Sequence, residues 1–348
     1  MRSRFPSPGA YMGQDRACER IDRRRWLALA GAVLATCPLR GYADDAQRAL
    51  RRIGFLGNST PALEANLVAP FRAGLRELGY VEGRTIEIDY RWAGGDYKRF
   101  PELVRELLAL PVEIIVTAGT PAAQAVQSVS RTIPLVMVAV GDPVGTHLVE
   151  SLAHPGGNAT GLTSIAPDLE GKRLELLTAV APGLSRVAVL WNPDNAFHVG
   201  SERQVHAAAK VLHLEVTSTA IRSAADFDGA FTSIAASGAG AMTVLADRVF
   251  LHNRARIVDF ARKRRLPAVY AYRELVDAGG LMSFGPDYAE MHHRAANYVD
   301  RILRGAKPGE LPIEQPKSFN LIVNLKAAQE IGVTVPRGVL LRASEVLE

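Results

Sequence analysis

At four places in the 348-residue chain an apolar run ends in polar capping-type residues followed by a proline. They are Gly57-Asn58-Ser59-Thr60-Pro61 after residues 53–56, and Ala118-Gly119-Thr120-Pro121 after the run from Val112. The others are Gly141-Asp142-Pro143 after 134–140 and Asn192-Pro193-Asp194 after 187–191. Thr, Asp or Asn at such a point accepts hydrogen bonds from the first amides of a helix. Proline suits the first helical position because it has no N–H to leave unpaired. A helix start also exposes N–H groups and the positive end of the helix dipole, which favour an anion. Placed on parallel strands, these turns gather at the carboxyl edge of a sheet, where open α/β sheets bind ligands. Two such edges facing each other would enclose a small polar molecule. Each turn taken singly also reads as ordinary helix capping.

Other residues near strand ends have two readings each. Asp247 and Asp142 could pair with a ligand amine or cap a helix. Tyr270, Tyr272, Trp191 and Trp92 could wall a binding site or fill a core. Arg273 could grip a carboxylate or pair on the surface. The candidate ligand-binding set is therefore Asn58, Ser59, Thr60, Gly119, Thr120, Asp142, Asn192, Asp247, Tyr270 and Arg273. In this scheme amides and hydroxyls of Asn58, Ser59, Thr60, Gly119 and Thr120 take a carboxylate or hydroxyl. Asp142 or Asp247 takes an amine, and Asn192 and Tyr270 complete the far wall.

Signatures of catalysis are missing from the sequence. It has no glycine fingerprint for a dinucleotide, no P-loop and no Gly-x-Ser-x-Gly elbow. His292 and His293 are adjacent, so on a helix they point about 100° apart and make poor co-ligands. Arg262-Lys263-Arg264-Arg265 ends a helical pattern just before Pro267, where positive charge suits the dipole, and no aromatic platform accompanies it. The expectation is a protein that is not an enzyme, with no metal, no cofactor and no nucleic-acid partner.

The elements that would position these residues follow from periodicity. Short apolar runs at 53–56, 85–90, 112–116, 134–140, 187–191, 215–219, 241–245 and 267–271 alternate with helical patterns. In 61–79, for example, Leu63, Leu67, Phe71, Leu75 and Leu78 recur every three or four residues until Gly79. Further helices are predicted at about 99–109, 121–129, 170–181, 201–213, 224–236, 250–264 and 287–304. Alternation of this kind predicts an α/β fold with parallel sheets and helices on both faces. The rhythm breaks at 153–164, at 279–285 and at 308–320, which read as crossings between two Rossmann-like lobes.

The formal charge of +5 has a narrow source. Eight of the 41 basic and three of the 36 acidic residues fall in residues 1–43, so 33 of each sign remain for 44–348. In that segment Arg23-Arg24-Arg25 precedes an apolar run from Trp26 to Cys37, and Gly41-Tyr42-Ala43 follows. Charge, a short apolar core and a small-x-small site form the pattern of an export signal. The pattern is of twin-arginine type, with the Sec route as the other reading. The run is too short for the ~20 residues that span a bilayer. Both cysteines, Cys18 and Cys37, lie within residues 1–43, so a chain cut near Asp44 would have no thiol nucleophile, thiolate metal site or disulfide. Leu34-Ala35-Thr36-Cys37 has only a faint likeness to a lipidation site.

From residue 50 to about 345 the chain resembles the ABC-transporter substrate-binding proteins of the tryptophan/tyrosine-type group. The matching residues are Thr120 to Ala125, Gly141 to Gly145 with Leu148 and Val149, Pro155 to Gly161, and Asn192-Pro193. Ile302 to Pro308, Asn324 to Ala328 with Ile331-Gly332, and Leu340 to Val346 extend the likeness. The resemblance implies a type I periplasmic-binding-protein fold with three hinge crossings and ligand contacts from strand-end loops. It implies one lobe from 50–160 plus 284–312, and another from 161–283 plus 313–345. It further implies a periplasmic protein, expected to be a monomer, that carries a small polar ligand to an inner-membrane ABC permease. Where tryptophan-type members carry Thr-Asp-Asn, this chain has Ala246-Asp247-Arg248, and the loop at Tyr272-Arg273-Glu274 also departs from theirs. A ligand sensor on the same lobes, or a two-lobed enzyme, are the rival readings.

Overall fold

The computed structural model describes residues 50–165 and 169–348. The export signal predicted in residues 1–43 and the faint lipidation likeness at Cys37 lie outside the described residues.

The first sheet is wholly parallel. It is built from β1 (Arg51–Gly57), α1 (Ala65–Glu77), β2 (Ile86–Trp92), α2 (Phe100–Leu108), β3 (Ile114–Ala118), α3 (Thr120–Val129), β4 (Leu135–Val140) and β5 (Ala159–Thr163). Its strand order is β2-β1-β3-β4-β5. Strands β3 and β4 are buried at every residue, as unbroken apolar runs require when helices cover both faces. Successive side chains point to opposite faces. Ile53, Phe55, Ile114, Val116, Val136 and Val138 therefore pack with Leu67, Phe71 and Leu75 of α1. Leu56, Ile115, Leu135 and Met137 pack on the other face with Leu103, Val104, Ala122 and Val126.

The rest of the chain forms a second sheet. Its elements are α4 (Leu169–Val180), β6 (Arg186–Trp191), α5 (Ala196–Val211), β7 (Glu215–Ala220), α6 (Phe227–Ser237), β8 (Ala241–Val244), α7 (Arg248–His252), α8 (Arg254–Lys263), β9 (Ala268–Tyr270), α9 (Arg273–Asp277) and β10 (Met282–Pro286). Then come α10 (Tyr288–Leu303), β11 (Phe319–Asn324), α11 (Leu325–Ile331), α12 (Arg337–Leu340) and β12 (Glu345–Leu347). The strand order is β12-β11-β10-β9-β8-β6-β7, parallel except where β10 runs antiparallel to β11. The helix predicted over 250–264 is in fact two, α7 and α8, broken at Asn253.

Helix α10 returns to the first sheet. It lies on α1, where Gly74 lets the two backbones touch: a Cβ there would sit 2.4 Å from the His293 carbonyl oxygen. Three passages of chain thus link the sheets: from β5 to α4, from β10 to α10 at Asp287, and from the 311–318 stretch into β11. The first and third lie side by side. Thr163 N donates to Glu314 O (2.9 Å) and Glu314 N donates to Gly161 O (3.0 Å). Fully buried Arg173 of α4 pairs with Glu170 (2.7 Å) and donates to Phe284 O in β10 (2.9 Å), which ties the first passage to the second.

The breaks at 153–164 and 279–285 are not loops throughout, since each contains a strand. Strand β5 carries the first sheet to Thr163, and β10 keeps residues 282–286 in the second. Both are short and mix glycine and hydroxyl residues with few large apolar ones, so no run marks them. In β5 the glycine is required. Gly161 has φ +133° and a Cβ there would lie 2.0 Å from Met137 O of β4. Gly161→Ala is expected to lower stability by about 2 kcal/mol or more, because backbone on both strands must shift. Chemical denaturation checks this, and an unchanged midpoint would contradict the pairing.

Candidate functional site

The carboxyl ends of β1, β3 and β4 face those of β6, β8 and β9, and side chains bridge the gap. Tyr97 Oη donates to Asp247 Oδ1 (2.8 Å), Ser59 Oγ meets His252 Nδ1 (2.6 Å), and Asn66 Nδ2 donates to Glu274 Oε1 (2.7 Å). The Phe197 ring lies so close over Gly141 that a Cβ there would come within 2.2 Å. A cavity of about 10 Å³, roughly the room for one water, remains at this seam. Tyr97, Thr120, Asn195, Phe197, Arg248 and Tyr272 are among its walls.

On the first sheet's side, the loop after β1 folds around a buried acid. Glu64 Oε1 accepts from the amides of Asn58 (2.9 Å) and Ser59 (2.5 Å). Burial pushes the Glu64 carboxyl up, with the Arg248 charge and these amides acting against it. Asn58 Nδ2 donates to Ala118 O at the end of β3 (3.0 Å). Gly119, at φ +83°, turns the chain into α3, and Thr120 begins that helix. The Thr120 hydroxyl donates to Gly141 O (3.2 Å) and accepts from Gly141 N (3.1 Å), which fixes the ends of β3 and β4 together.

On the second sheet's side, Asp247 is the hub. It caps α7 by accepting from Val249 N (2.9 Å). It also accepts from Asn195 Nδ2 (2.9 Å), from Asn192 Nδ2 (3.3 Å) and from Tyr97 of the opposite sheet. Burial first, and then the Asp247 charge, holds the Tyr97 hydroxyl well above the usual phenol range. His198 supports the loop from below, its Nδ1 accepting from Asn192 N (2.8 Å) and its Nε2 within 3.1 Å of Ala246 O. That pattern makes it the neutral Nε2–H tautomer. Burial lowers its pKa, and burial with the nearby Arg248 pushes His292 down to about 3.

Six of the sequence-derived candidates thus lie on the facing edges: Asn58, Ser59, Gly119, Thr120, Asn192 and Asp247. Thr60 is half-buried beside them and its hydroxyl accepts from Leu63 N (3.4 Å). Three others are not among the walls of the seam cavity. Asp142 caps its own turn by accepting from Gly145 N (2.8 Å). Tyr270 is core, its ring packed over Gly280, where a Cβ would come within 2.4 Å. Arg273 is exposed and pairs with Asp277 (3.2 Å) and Glu345 (3.0 Å). Trp92 covers Gly57 in the first core and stacks on Tyr90. Sequence reasoning missed Tyr97, Asn195, Phe197 and Glu64. Arg248 stood out only as a departure from the family pattern. A second cavity of about 110 Å³ lies at the passages between the sheets, walled by Asn66, Glu274, Ser283, Asp287, Tyr288 and Asn320.

The two buried histidines set a pH dependence. Their folded pKa values lie below the ordinary 6.5, so the unfolded chain binds more protons once the pH drops under that value. The contribution is complete above pH 6.5 and is lost on acidification. Stability measured by urea titration is expected to fall between pH 6.5 and 5, by up to about 1.4 kcal/mol per pH unit for each group. His292→Leu should flatten that slope, and an identical slope in the variant would contradict the assignment.

Among the described residues no cluster of three or more His, Cys, Asp or Glu side chains is arranged to hold a metal, and no helix is long and apolar enough to cross a membrane. Comparisons with known proteins fit two mostly parallel sheets interleaved with helices. A conserved domain protein of Vibrio cholerae has a solved structure with TM-score 0.80 and 30% identity, covering 86% of this chain and all of that one. The ABC domain of Streptococcus pneumoniae, solved in complex with L-Trp, gives 0.79 and 27% over the same shares. A protein of Clostridioides difficile named for tyrosine binding is 28% identical over 257 residues, 73% of each chain. Residues 59–347 match the family model of the ABC transporter substrate binding protein. The chain therefore belongs to the ABC transporter substrate-binding protein family, with a type I periplasmic-binding fold.

Proposed function

We propose that this protein captures an amino acid or small carboxylate at the seam between its two sheets and delivers it, in the closed form, to an ABC permease for import. The observation that carries this reading is the Tyr97–Asp247 hydrogen bond across the seam. It places a buried charged hub of one sheet on a hydroxyl of the other, beside the start of α3. That helix start suits a carboxylate. Tyr272 and Phe197 offer apolar walls. The relatives named for tyrosine and solved with L-Trp support an amino-acid ligand.

The two halves act as lobes, 50–160 with 284–312 and 161–283 with 313–345 except that β5 keeps 161–163 in the first and β10 keeps 284–286 in the second, hinged at three passages. The chain works as an exported periplasmic monomer, released from the signal in residues 1–43. Binding and release need no group that reacts, so it is not an enzyme.

Mass spectrometry of small molecules released by denaturing the purified mature chain tests the reading, followed by thermal-shift titration of what is found. A specific ligand at about 100 times its Kd should stabilise the fold by about 2.7 kcal/mol. Recovery of no small molecule, together with no shift from any amino acid or small carboxylate, would overturn it.

A further inference from the structure

We infer that Arg248 sets the specificity of the seam cavity, and that the molecule it takes is a small carboxylic acid that needs no ammonium group. This deepens the binding reading above and rests on it.

Arg248 is only 3% exposed and lines the cavity with Tyr97, Gly119, Thr120, Asn195 and Tyr272. Its Nε, Nη1 and Nη2 have no hydrogen-bond partner among the described residues. The neighbouring buried charges are bonded. Asp247 accepts from four groups, Glu64 from two amides, and Arg173 pairs with Glu170. A buried guanidinium with no acceptor is costly, and such groups in native proteins call for a functional reason. Aromatic faces hold this one in place. Its central carbon lies 5.2 Å from the Tyr272 ring centre and 5.8 Å from that of Tyr288. Stacking contacts of this kind leave the in-plane N–H groups for another partner. Glu64 and Glu274 act on it through charge but neither bonds it.

Five N–H donors in a rigid plane match a carboxylate, which can bind them in pairs. The other half of the inference comes from what an ammonium would meet. Among the described residues no carboxylate lines the cavity. Asp247, the nearest acid in sequence, already accepts from four donors, about the number a carboxylate can take. Glu274 keeps one free oxygen, Oε2, but it lines the separate cavity at the passages between the sheets. The cavity thus offers a free cation, and among the described residues its walls hold no carboxylate.

The test uses the mature full-length chain and matched sets of probes: L-phenylalanine, 3-phenylpropanoate and L-phenylalaninamide, with the corresponding leucine and alanine sets. The molecule recovered from the purified protein is included. The acid lacking nitrogen should bind at least as tightly as the amino acid, and the amide should give no shift. Arg248→Met should weaken acid binding at least about tenfold, while the unliganded melting point stays level or rises because an unpaired buried charge is gone. Arg248→Lys keeps the charge but loses the fork, and should fall between the two. An amide that binds as well as its acid would overturn the inference and leave the binding reading intact. So would affinity kept within twofold in both variants, or a recovered molecule with no acidic group. If nothing is recovered and no probe shifts the protein, both readings fall together.

Discussion

The buried carboxylate of Asp247 is the constraint on which the seam depends. It is 1% exposed, and a bare carboxylate there would be far too costly without donors. Four groups supply them: two asparagines from the loop after β6, an amide of its own helix, and a tyrosine from the opposite sheet. Three of those bonds shape the second half locally. The fourth reaches across 150 positions of sequence, so the stability of a charge in one half is coupled to the position of the other. A burial cost shared across a seam in this way favours the closed arrangement without a covalent tie.

That coupling has use only if the halves can part, and the connections suit it. The passages between the sheets are three short stretches, held to one another rather than to either edge. The first and third share backbone hydrogen bonds at Gly161, Thr163 and Glu314. Asn320 Nδ2 reaches Asp287 Oδ2 at 3.5 Å, which links the second and third. Helix α10 leaves the second sheet and packs on α1 of the first, with Gly74 allowing the close approach. In the proposed closure, bending falls at this one bundle of passages. The seam residues lie away from it, at the far ends of well-packed strands that keep them in register.

Much of the fold was legible because burial on both faces leaves a plain mark. The strands at 53–56, 134–140 and 187–191 are apolar runs and appear as β1, β4 and β6 with ends moved by two residues at most. Strands β5 and β10 left no such mark. Gly161 is there because Met137 leaves no room for a side chain, and glycine reads as a break. At the site, the polar turns at Asn58, Thr120 and Asn192 were readable because each follows the end of an apolar strand. Tyr97 and Arg248 were not, since their roles depend on residues of the opposite half. Tyr270 and Tyr272 show how little separates the two outcomes. The first points into the core from β9, and the second, just beyond the strand end, stacks under Arg248. Arg273, one residue later, begins α9 and turns outward to Asp277 and Glu345.

The central claim is that the two halves close on a small molecule and are held by the Tyr97–Asp247 bond. It is tested most directly by the distance between spin labels on cysteines placed at exposed Lys98 and Val199, on opposite sides of the seam. In the mature chain, adding the molecule recovered from the protein should convert a broad, long distribution into a single short one. The same distribution with and without that molecule would contradict the account.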